Sequence, residues 1–547
     1  MTAPFSPAPS PATTTSRRVF LQRSAAAVSI AAATHLGGAA ARAAQALTPG
    51  ANPVPIRSIH PYPNKISWGQ GLLALGPHVN LQLGSAVEPA HRRMLEETWQ
   101  QFTFGAVTLE VTRDRTLEGA QFRLTTAARQ TAMPDREDAA TYALRVDDAG
   151  AAATAKDSVA LRHAWFTLLQ LLQATDSGTV DQPGFTLAHV EIQDWPRLAF
   201  RGLHLCIFKE TPPLMVEKAI RLAAFFKFSH VVLEFWGMLK LEALKELSWP
   251  EAWTKADAGR YVSMARDLGL EVIPMFNCWG HGAASRISYG RHVVLDQNPR
   301  LAPLFEPDGW TWCLTNPRAR DLLLRVCDEL SEFAGPGQYF HIGCDEAYSH
   351  ASCDRCRTTD RIKLFTEHLN RIDAHLEKRG RRTLMWGDAL LERAKWPRPY
   401  AANGTPVLPT HESIQGLSRR IVIADWHYDV NSGDLATLGY FRDQGFATIA
   451  CPWNTTANIR TLAIAAVKHR SEGLLLTTWH HLVQTMPQMP YVAATTWCQD
   501  PAVFQLRQMD SELLRATTAT CLRKLVPANG QFDRAGWNPF EMPAETH

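Results

Sequence analysis

From Asp194 onward, apolar runs and amphipathic stretches take turns along the chain. The runs are Phe200–Phe208, Val231–Trp236, Leu270–Asn277, Tyr339–Cys344, Thr383–Trp386, Ile421–Trp426, Phe446–Pro452 and Leu474–Trp479. Within them apolar residues do not alternate with polar ones, which is the pattern of strands covered on both faces. Stretches of helical period lie between most of them, such as Met215–Phe226, Arg260–Leu268, Thr358–Lys378 and Ile459–His469. Eight such runs predict a (β/α)8 TIM barrel. An open doubly wound sheet is the alternative, but no glycine-rich phosphate loop follows the first run.

The earlier part of the chain has a different rhythm. Leu72–Leu75, Val107–Val111 and Tyr142–Val146 read as short strands, and Leu161–Gln173 as one strongly apolar helix suited to lie under a sheet. The α/β chain therefore divides into residues 1–46, a smaller α+β domain over 47–193, the barrel over 194–525 and a tail over 526–547.

The first segment reads as an address. Ser16-Arg17-Arg18-Val19-Phe20-Leu21-Gln22 precedes a weak apolar run, Ala25 to Ala33, far short of the ~20 residues that span a bilayer. Ala41-Arg42-Ala43 and Ala44-Gln45-Ala46 offer small-residue cleavage sites. Together these resemble a twin-arginine signal, which implies a bacterial protein exported folded to the periplasm or beyond; a disordered basic tail is the other reading.

Composition narrows the partners. Of 547 residues 46% are hydrophobic and 20% charged, and 56 Lys and Arg face 53 Asp and Glu. That balance leaves no electrostatic footprint for nucleic acid and no polybasic membrane patch, and no membrane span is expected in the mature chain. The ten cysteines all lie at or beyond Cys206, so a small disulfide-stapled domain is excluded. Cys353 and Cys356 form a lone C-x2-C with His350 just ahead. One such pair is a weak zinc signal, read more readily as a disulfide or two plain thiols, and no metal or cofactor is expected.

Polar and aromatic residues crowd the ends of the predicted barrel strands, where a barrel builds its active site. Asn277 and His281 follow the third run, Asp345-Glu346 the fourth, and Trp386 and Asp388 the fifth. Asp425 and Trp426 close the sixth, Trp453 and Asn454 the seventh, and Trp479 with His480-His481 the eighth. Four tryptophans at four strand ends favour a sugar-stacking pocket over simple core filling. No G-x-S-x-G elbow, H-E-x-x-H pair or dinucleotide fingerprint occurs, which leaves acyl transfer, zincin chemistry and hydride transfer without support. Two carboxylates flanking one bond are how most glycosidases work, and Asp345-Glu346 is the sharpest candidate; a solvated acidic turn is the plain alternative. Neighbours on a strand point to opposite faces, so the two are expected to play distinct roles.

Phe340-His341-Ile342-Gly343-Cys344-Asp345-Glu346 resembles the H-x-G-G-D-E motif of the family 20 glycoside hydrolases, the β-N-acetylhexosaminidases. Ile59-His60-Pro61-Tyr62-Pro63 is similar to the opening of that family's non-catalytic domain, and Tyr142 to Gln173 to its closing strand and helix. Asp194-Trp195-Pro196-Arg197-Leu198-Ala199-Phe200-Arg201-Gly202-Leu203 resembles the segment that leads into its barrel. Pro274 to His281 resembles the segment after its third strand, keeping Pro, Gly and His.

The resemblance implies a retaining exo-β-N-acetylhexosaminidase whose partner is an amino-sugar-containing oligosaccharide or glycoconjugate. Glu346 would be the acid and base, and Asp345 would orient the substrate's own 2-acetamido group. Trp386, Trp426 and Trp479 match tryptophans that box that group and the ring. Arg201 matches an arginine that holds sugar hydroxyls, and His281 and His341 match histidines near the acid.

Departures accompany the match. The first strand reads Leu205-Cys206-Ile207-Phe208-Lys209 in place of L-D-x-x-R. Glu234 stands where the last histidine of H-x-H-x-x-D-D is usual, Cys344 replaces the motif's second glycine, and Trp479-His480-His481 replaces W-x-E. Several of these, with Cys313-Leu314-Thr315-Asn316-Pro317, resemble the hexosaminidase D-type branch. Other readings are a two-carboxylate glycosidase pairing Glu346 with Glu234 or Asp425, and a sugar-binding homologue without turnover.

Overall fold

The computed structural model describes residues 59–84, 89–113, 121–126, 140–179, 182–282, 299–479 and 482–499. The expected export signal at 1–46, the tail at 526–547 and the His480-His481 pair lie outside them.

The N-terminal part is a mixed sheet backed by two helices. Its strands are β1 (Lys65–Leu75), β2 (His78–Leu83), β3 (Thr108–Arg113), β4 (Phe122–Thr126), β5 (Tyr142–Asp147), β6 (Gly150–Ala155), β7 (Leu172–Thr179) and β8 (Gln182–Asp194). They run in the order β1-β8-β5-β6-β4-β2-β3, with β7 paired to β8. The single expected helix is α2 (Ser158–Leu171), started by the Asp157 side chain, which accepts from the Ala160 N–H at 2.8 Å. It stops two residues before Gln173, because Leu172 turns into β7; an apolar run that passes from helix to strand gives periodicity nothing to mark the boundary. A second helix, α1 (Pro89–Phe102), was not anticipated. Among the described residues its buried apolar side chains are only Met94, Leu95, Trp99 and Phe102, and Arg92, Arg93, Glu96, Glu97, Gln100 and Gln101 dilute the apolar pattern between them.

Both helices pack on the barrel. Phe102 of α1 and Phe166 of α2 meet Phe225 of α3 (Pro213–Phe225) at ring distances of 5.7 and 5.6 Å. At the end of β8 the buried Asp194 carboxylate accepts from Lys227 Nζ at 2.8 Å, Tyr142 Oη at 2.7 Å and Trp497 Nε1 at 2.8 Å. Three donors from separate elements offset the cost of a buried charge, so this join is fixed by chemistry as well as by shape.

All eight apolar runs are strands of one closed parallel barrel: β9 (Phe200–Ile207), β10 (His230–Phe235), β11 (Glu271–Met275), β12 (Tyr339–His341), β13 (Arg382–Trp386), β14 (Val422–Trp426), β15 (Ala447–Cys451) and β16 (Gly473–Leu476). Gly473 pairing with Phe200 closes the ring. The outer layer is α3, α4 (Lys255–Asp267), α5 (Pro317–Ala334), α6 (Arg361–Glu377), α7 (Ala436–Asp443), α8 (Thr456–Lys468) and α9 (Met489–Trp497). After β13 a 3-10 stretch, Thr410–Gly416, stands among the described residues where a helix is usual. Phe200, Val232, Ile273, Met275, Tyr339, Leu384 and Val422 fill the barrel interior, with Trp386 at its upper edge. Because side chains alternate along a strand, residues two or four apart from these share the inward row: His204 with Phe200, Glu234 with Val232, His341 with Tyr339.

Candidate active site

The loop after β12 carries the two carboxylates. It leaves the strand at Ile342 and turns through left-handed residues, Gly343 (φ 65), Cys344 (φ 72) and Glu346 (φ 49). This corrects the expectation that the neighbours face opposite ways: strand alternation ends at His341, and the turn brings both side chains to one histidine. His281 Nε2 lies 3.3 Å from Asp345 Oδ2 and 3.4 Å from Glu346 Oε2. The approach of the loops is tight. A Cβ on Gly343 would sit 2.0 Å from Asn277 Oδ1, and one on Gly280 would sit 1.9 Å from the Asp345 carbonyl oxygen. Among the described residues eight non-glycine residues have positive φ, and four of them, His281, Cys344, Glu346 and Trp479, line this end of the barrel. Left-handed backbone at non-glycine positions costs energy and gathers where function over-determines it.

Charge is arranged around that histidine. Burial alone would strip the proton from His281, but Asp345 and Glu346 outweigh it and raise its pKa to about 10. It is an imidazolium between two acids. Burial pushes the Asp345 carboxyl up, and the nearby Glu346 and Glu234 add to this while His281 opposes it. Asp388 is lifted to about 7 by burial and by the charges of Asp345 and Glu346. Its Oδ2 accepts from the Glu346 main-chain N–H at 3.3 Å, and its Oδ1 from Trp426 Nε1 at 3.3 Å. Glu346 keeps 34% of its side chain exposed, against 5% for Asp345.

The tryptophans form the floor and walls. Trp386 is wholly buried, 4.3 Å from the His341 ring and 5.7 Å from Trp479. Trp426 and Trp479 are part-exposed at the rim, and Trp479 Nε1 donates to Tyr428 Oη at 2.9 Å. His341 lies deeper than His281 and meets no carboxylate at hydrogen-bond distance. Its Nδ1 accepts from the Gly343 N–H, and burial with the neighbouring His204 drops its pKa to about 3, so it is neutral. Several buried polar atoms at this end, among them Asp345 Oδ1, His341 Nε2, Trp386 Nε1 and Asn277 Oδ1, have no hydrogen-bond partner among the described residues. Orphaned polar atoms are rare in folded proteins, and a cluster of them marks a site whose ligand brings the partners.

Two sequence expectations change. Glu234 does face the interior, but both its oxygens are taken. Oε2 accepts from His204 Nε2 at 2.9 Å and Cys206 Sγ at 3.2 Å, and Oε1 from Asn277 Nδ2 and Trp236 Nε1 at 2.6 Å each. Burial works to raise its pKa, yet these hydrogen bonds together hold it below the usual carboxylate value. It acts as a buried anchor. Arg201 is not at the site. It is the second residue of β9, at the N-terminal end of the barrel, on the row that alternation turns outward. Its guanidinium donates to the carbonyls of Lys227, Leu198 and Ala199 at 2.8, 2.9 and 2.8 Å and lies over Trp497. The cation at the C-terminal end of this strand is Lys209, half-exposed and paired with Glu251 at 2.8 Å.

Sequence reasoning left Asp388 and Asn277 as strand-end polar residues outside the site, and passed over Trp310 and Tyr428. Trp310 comes from the loop before α5. Its ring lies 4.1 Å from that of His281, and its Nε1 donates to the Glu346 carbonyl at 2.9 Å. No periodicity marks it. Tyr428 could have been found, because it stands two residues beyond Trp426 at a strand end.

The description "Glycosyl hydrolase family 20, domain 2" matches residues 57–195, and "Glycosyl hydrolase family 20, catalytic domain" matches residues 181–453. The chain belongs to glycosyl hydrolase family 20. Among its relatives, a β-hexosaminidase of Porphyromonas gingivalis is 25% identical over 417 residues, 67% of this chain and 52% of that protein. A β-hexosaminidase of Vibrio furnissii is 24% identical over 380 residues, 61% of this chain and 57% of that protein. The match thus spans little more than half the length of these relatives. A family 20 exo-β-N-acetylglucosaminidase from Vibrio harveyi, solved with N-acetylglucosamine, shares the fold at a TM-score of 0.65 and 17% identity, covering 90% of this chain and 80% of that one. Flavobacterium johnsoniae chitobiase does so at a TM-score of 0.64 and 18% identity, covering 86% and 72%. The family 20 catalytic match ends at Trp453, so β16 and Trp479 lie beyond it.

Proposed function

We propose that this family 20 chain is a retaining exo-β-N-acetylhexosaminidase, removing terminal N-acetylglucosamine or N-acetylgalactosamine from an oligosaccharide or glycoconjugate by substrate-assisted catalysis. The observation that carries the reading is the His281 imidazolium held between Asp345 and Glu346, with Asp345 Oδ1 left without a donor. An acetamido N–H supplies that donor. Bound in this way, the acetamido carbonyl oxygen is aimed at C1 and attacks it while Glu346 passes a proton to the departing glycosidic oxygen. The positive charge of the resulting oxazolinium lies beside the Asp345 carboxylate. Glu346, now a carboxylate, takes a proton from water as that water attacks C1 and reopens the ring, so configuration is retained overall. Trp386, Trp426 and Trp479 offer apolar faces to the acetamido methyl and the sugar ring. The names of the Porphyromonas and Vibrio relatives support the same activity.

The two-carboxylate alternative has less support. Asp425 alternates outward from Trp426 and accepts from Thr437 Oγ1 of α7 at 2.6 Å, and Glu234 is taken by four donors. Matched aryl glycosides with and without the 2-acetamido group test the choice. Turnover should collapse without the acetamido group; similar rates on both would reject the substrate-assisted reading.

Export by the twin-arginine route belongs to the same proposal, on the strength of Ser16 to Gln22. Replacing Arg17 and Arg18 by Lys should leave uncleaved precursor in the cytosol, and unchanged export would reject it.

A further inference from the structure

Beneath the active-site loops lies a second cluster that catalysis does not use. Three sulfurs meet there: Cys313 Sγ is 3.6 Å from Cys353 Sγ and 3.6 Å from Cys356 Sγ. A Glu306 carboxylate oxygen completes a group of four ligand atoms, all within 4.8 Å of one another. Glu306, Cys313 and Cys356 are buried, and none of the three thiols is in a disulfide. We infer that Cys313, Cys353, Cys356 and Glu306 bind a structural zinc ion.

The sulfur spacing is the main argument. A disulfide needs sulfurs at ~2.05 Å, so these contacts are far too long for one. Thiolates sharing a tetrahedral zinc at Zn–S ~2.3 Å stand ~3.8 Å apart, close to what is seen. The surroundings suit an anionic cluster. Thr315 Oγ1 lies 3.1 Å from Cys356 Sγ and 3.5 Å from Cys313 Sγ, within reach as a hydroxyl donor. The Ser352 and Cys353 main-chain N–H groups donate to Glu306 Oε2 at 2.9 and 2.6 Å, which orients the carboxylate in the way outer-shell partners orient metal ligands. Three thiols lose three protons as the ion enters, giving a closed Cys3Glu shell with no open position for substrate. His350, which the sequence sets just ahead of the C-x2-C, is not part of it: Nδ1 accepts from Trp279 Nε1 at 3.2 Å, and Nε2 lies 3.1 Å from the Arg361 carbonyl. The buried group of His204, Cys206 and Glu234 differs. There the histidine and the thiol both donate to one Glu234 oxygen and Asn277 and Trp236 donate to the other, so the carboxylate is already satisfied by hydrogen bonds.

The ion would join two loops. Glu306 and Cys313 bracket the turn that carries Trp310, and Cys353 and Cys356 close the segment that begins at Glu346. A clamp there fixes both sides of the backbone that presents the acid.

The test is the metal content of the full-length chain purified under reducing conditions without chelator. About one zinc per chain is expected, released by a thiol-modifying mercurial. Cys313→Ser and Cys353→Ser should lose it, Glu306→Gln should hold it less tightly against a chelator, and Cys498→Ser should keep it. Because the cysteine variants could fail to fold, cobalt exchanged into the unaltered chain gives a second readout: thiolate ligation produces intense near-ultraviolet charge-transfer absorption. Substoichiometric metal after dialysis against zinc, or cobalt without those bands, would overturn the site. So would zinc retained by both folded cysteine variants, or peptide mapping that finds a disulfide among the three.

Discussion

The indole of Trp310 donates to the main-chain carbonyl of Glu346 at 2.9 Å while its ring lies 4.1 Å from His281. One residue from a loop remote in sequence therefore braces the acid's backbone and crowds the cation that faces its carboxylate. With the Glu346 N–H donating to Asp388, both main-chain polar groups of the residue are held, and the side chain, a third exposed, faces His281. A reactive group on a fixed backbone loses little freedom on reaching its geometry, which is the entropic part of catalysis.

That arrangement predicts how Glu346→Gln behaves. With the backbone contacts intact, the variant should fold and bind but lose general-acid help, which costs ~10²–10⁴-fold. The loss should be large for natural alcohol leaving groups and small for activated aryl ones, measured as kcat/KM across a series of leaving-group pKa values. Equal losses across the series would assign Glu346 to binding.

His281→Gln should change two pH profiles. The His281 pKa is raised from 6.5 to about 10, so its stabilisation is fully present below pH ~6.5 and is lost as pH rises through ~10. The unaltered chain should lose stability over that window by at most ~1.4 kcal/mol per pH unit from this group, and the variant should lack that slope in urea unfolding. Burial already pushes Asp345 up, and removing the cation removes what opposes it. The acidic limb of kcat/KM should therefore move to higher pH. Identical slopes and an unmoved limb would deny His281 its charge.

Arg201→Met separates a scaffold role from a substrate role. The guanidinium serves three carbonyls at the N-terminal end of the barrel, so its loss should lower stability by about 3 kcal/mol. For the folded fraction, KM should remain within about twofold, since no substrate contact is lost. A large rise in KM with unchanged stability would return Arg201 to the sugar.

Arg201 also shows where sequence reading succeeded and failed. Eight unalternating runs became eight barrel strands, because a strand covered on both faces has no polar face to interrupt it. The Asp345-Glu346 pair was legible as two costly charges at a strand end. Matching Arg201 by motif ignored a physical signal in the same segment: Phe200 fills the interior, so its neighbour turns outward at the wrong end of the strand. Trp310 and the three-sulfur cluster were not legible, since contacts between loops separated by forty residues leave no period in the chain. The weakness of a lone C-x2-C as a zinc signal reflects the same blindness, for the third sulfur, Cys313, comes from another loop.

The choice between epimers follows from what these residues leave undone. The resemblance implies a carboxylate two residues past the eighth-strand tryptophan to accept from outer ring hydroxyls; the sequence has His481 there, and an imidazole offers at most one acceptor, and only when neutral. A hydrogen bond to a charged group is worth ~1.5–3 kcal/mol, so its absence removes roughly 10- to 150-fold of possible discrimination. Two other candidates to read the 4-hydroxyl are spent: Arg201 serves carbonyls at the far end of its strand, and both Glu234 oxygens already accept. Lys209 remains as a cation at the correct end, but an exposed ammonium on a flexible stem, paired with Glu251, discriminates poorly between axial and equatorial hydroxyls. N-acetylglucosaminides and N-acetylgalactosaminides should therefore be cleaved within about tenfold in kcat/KM, the factor that ~1.4 kcal/mol produces. Matched aryl glycosides of the two epimers measure it directly. A preference beyond about a hundredfold for either, ~2.7 kcal/mol, would mean that another residue has taken over the missing carboxylate's contact.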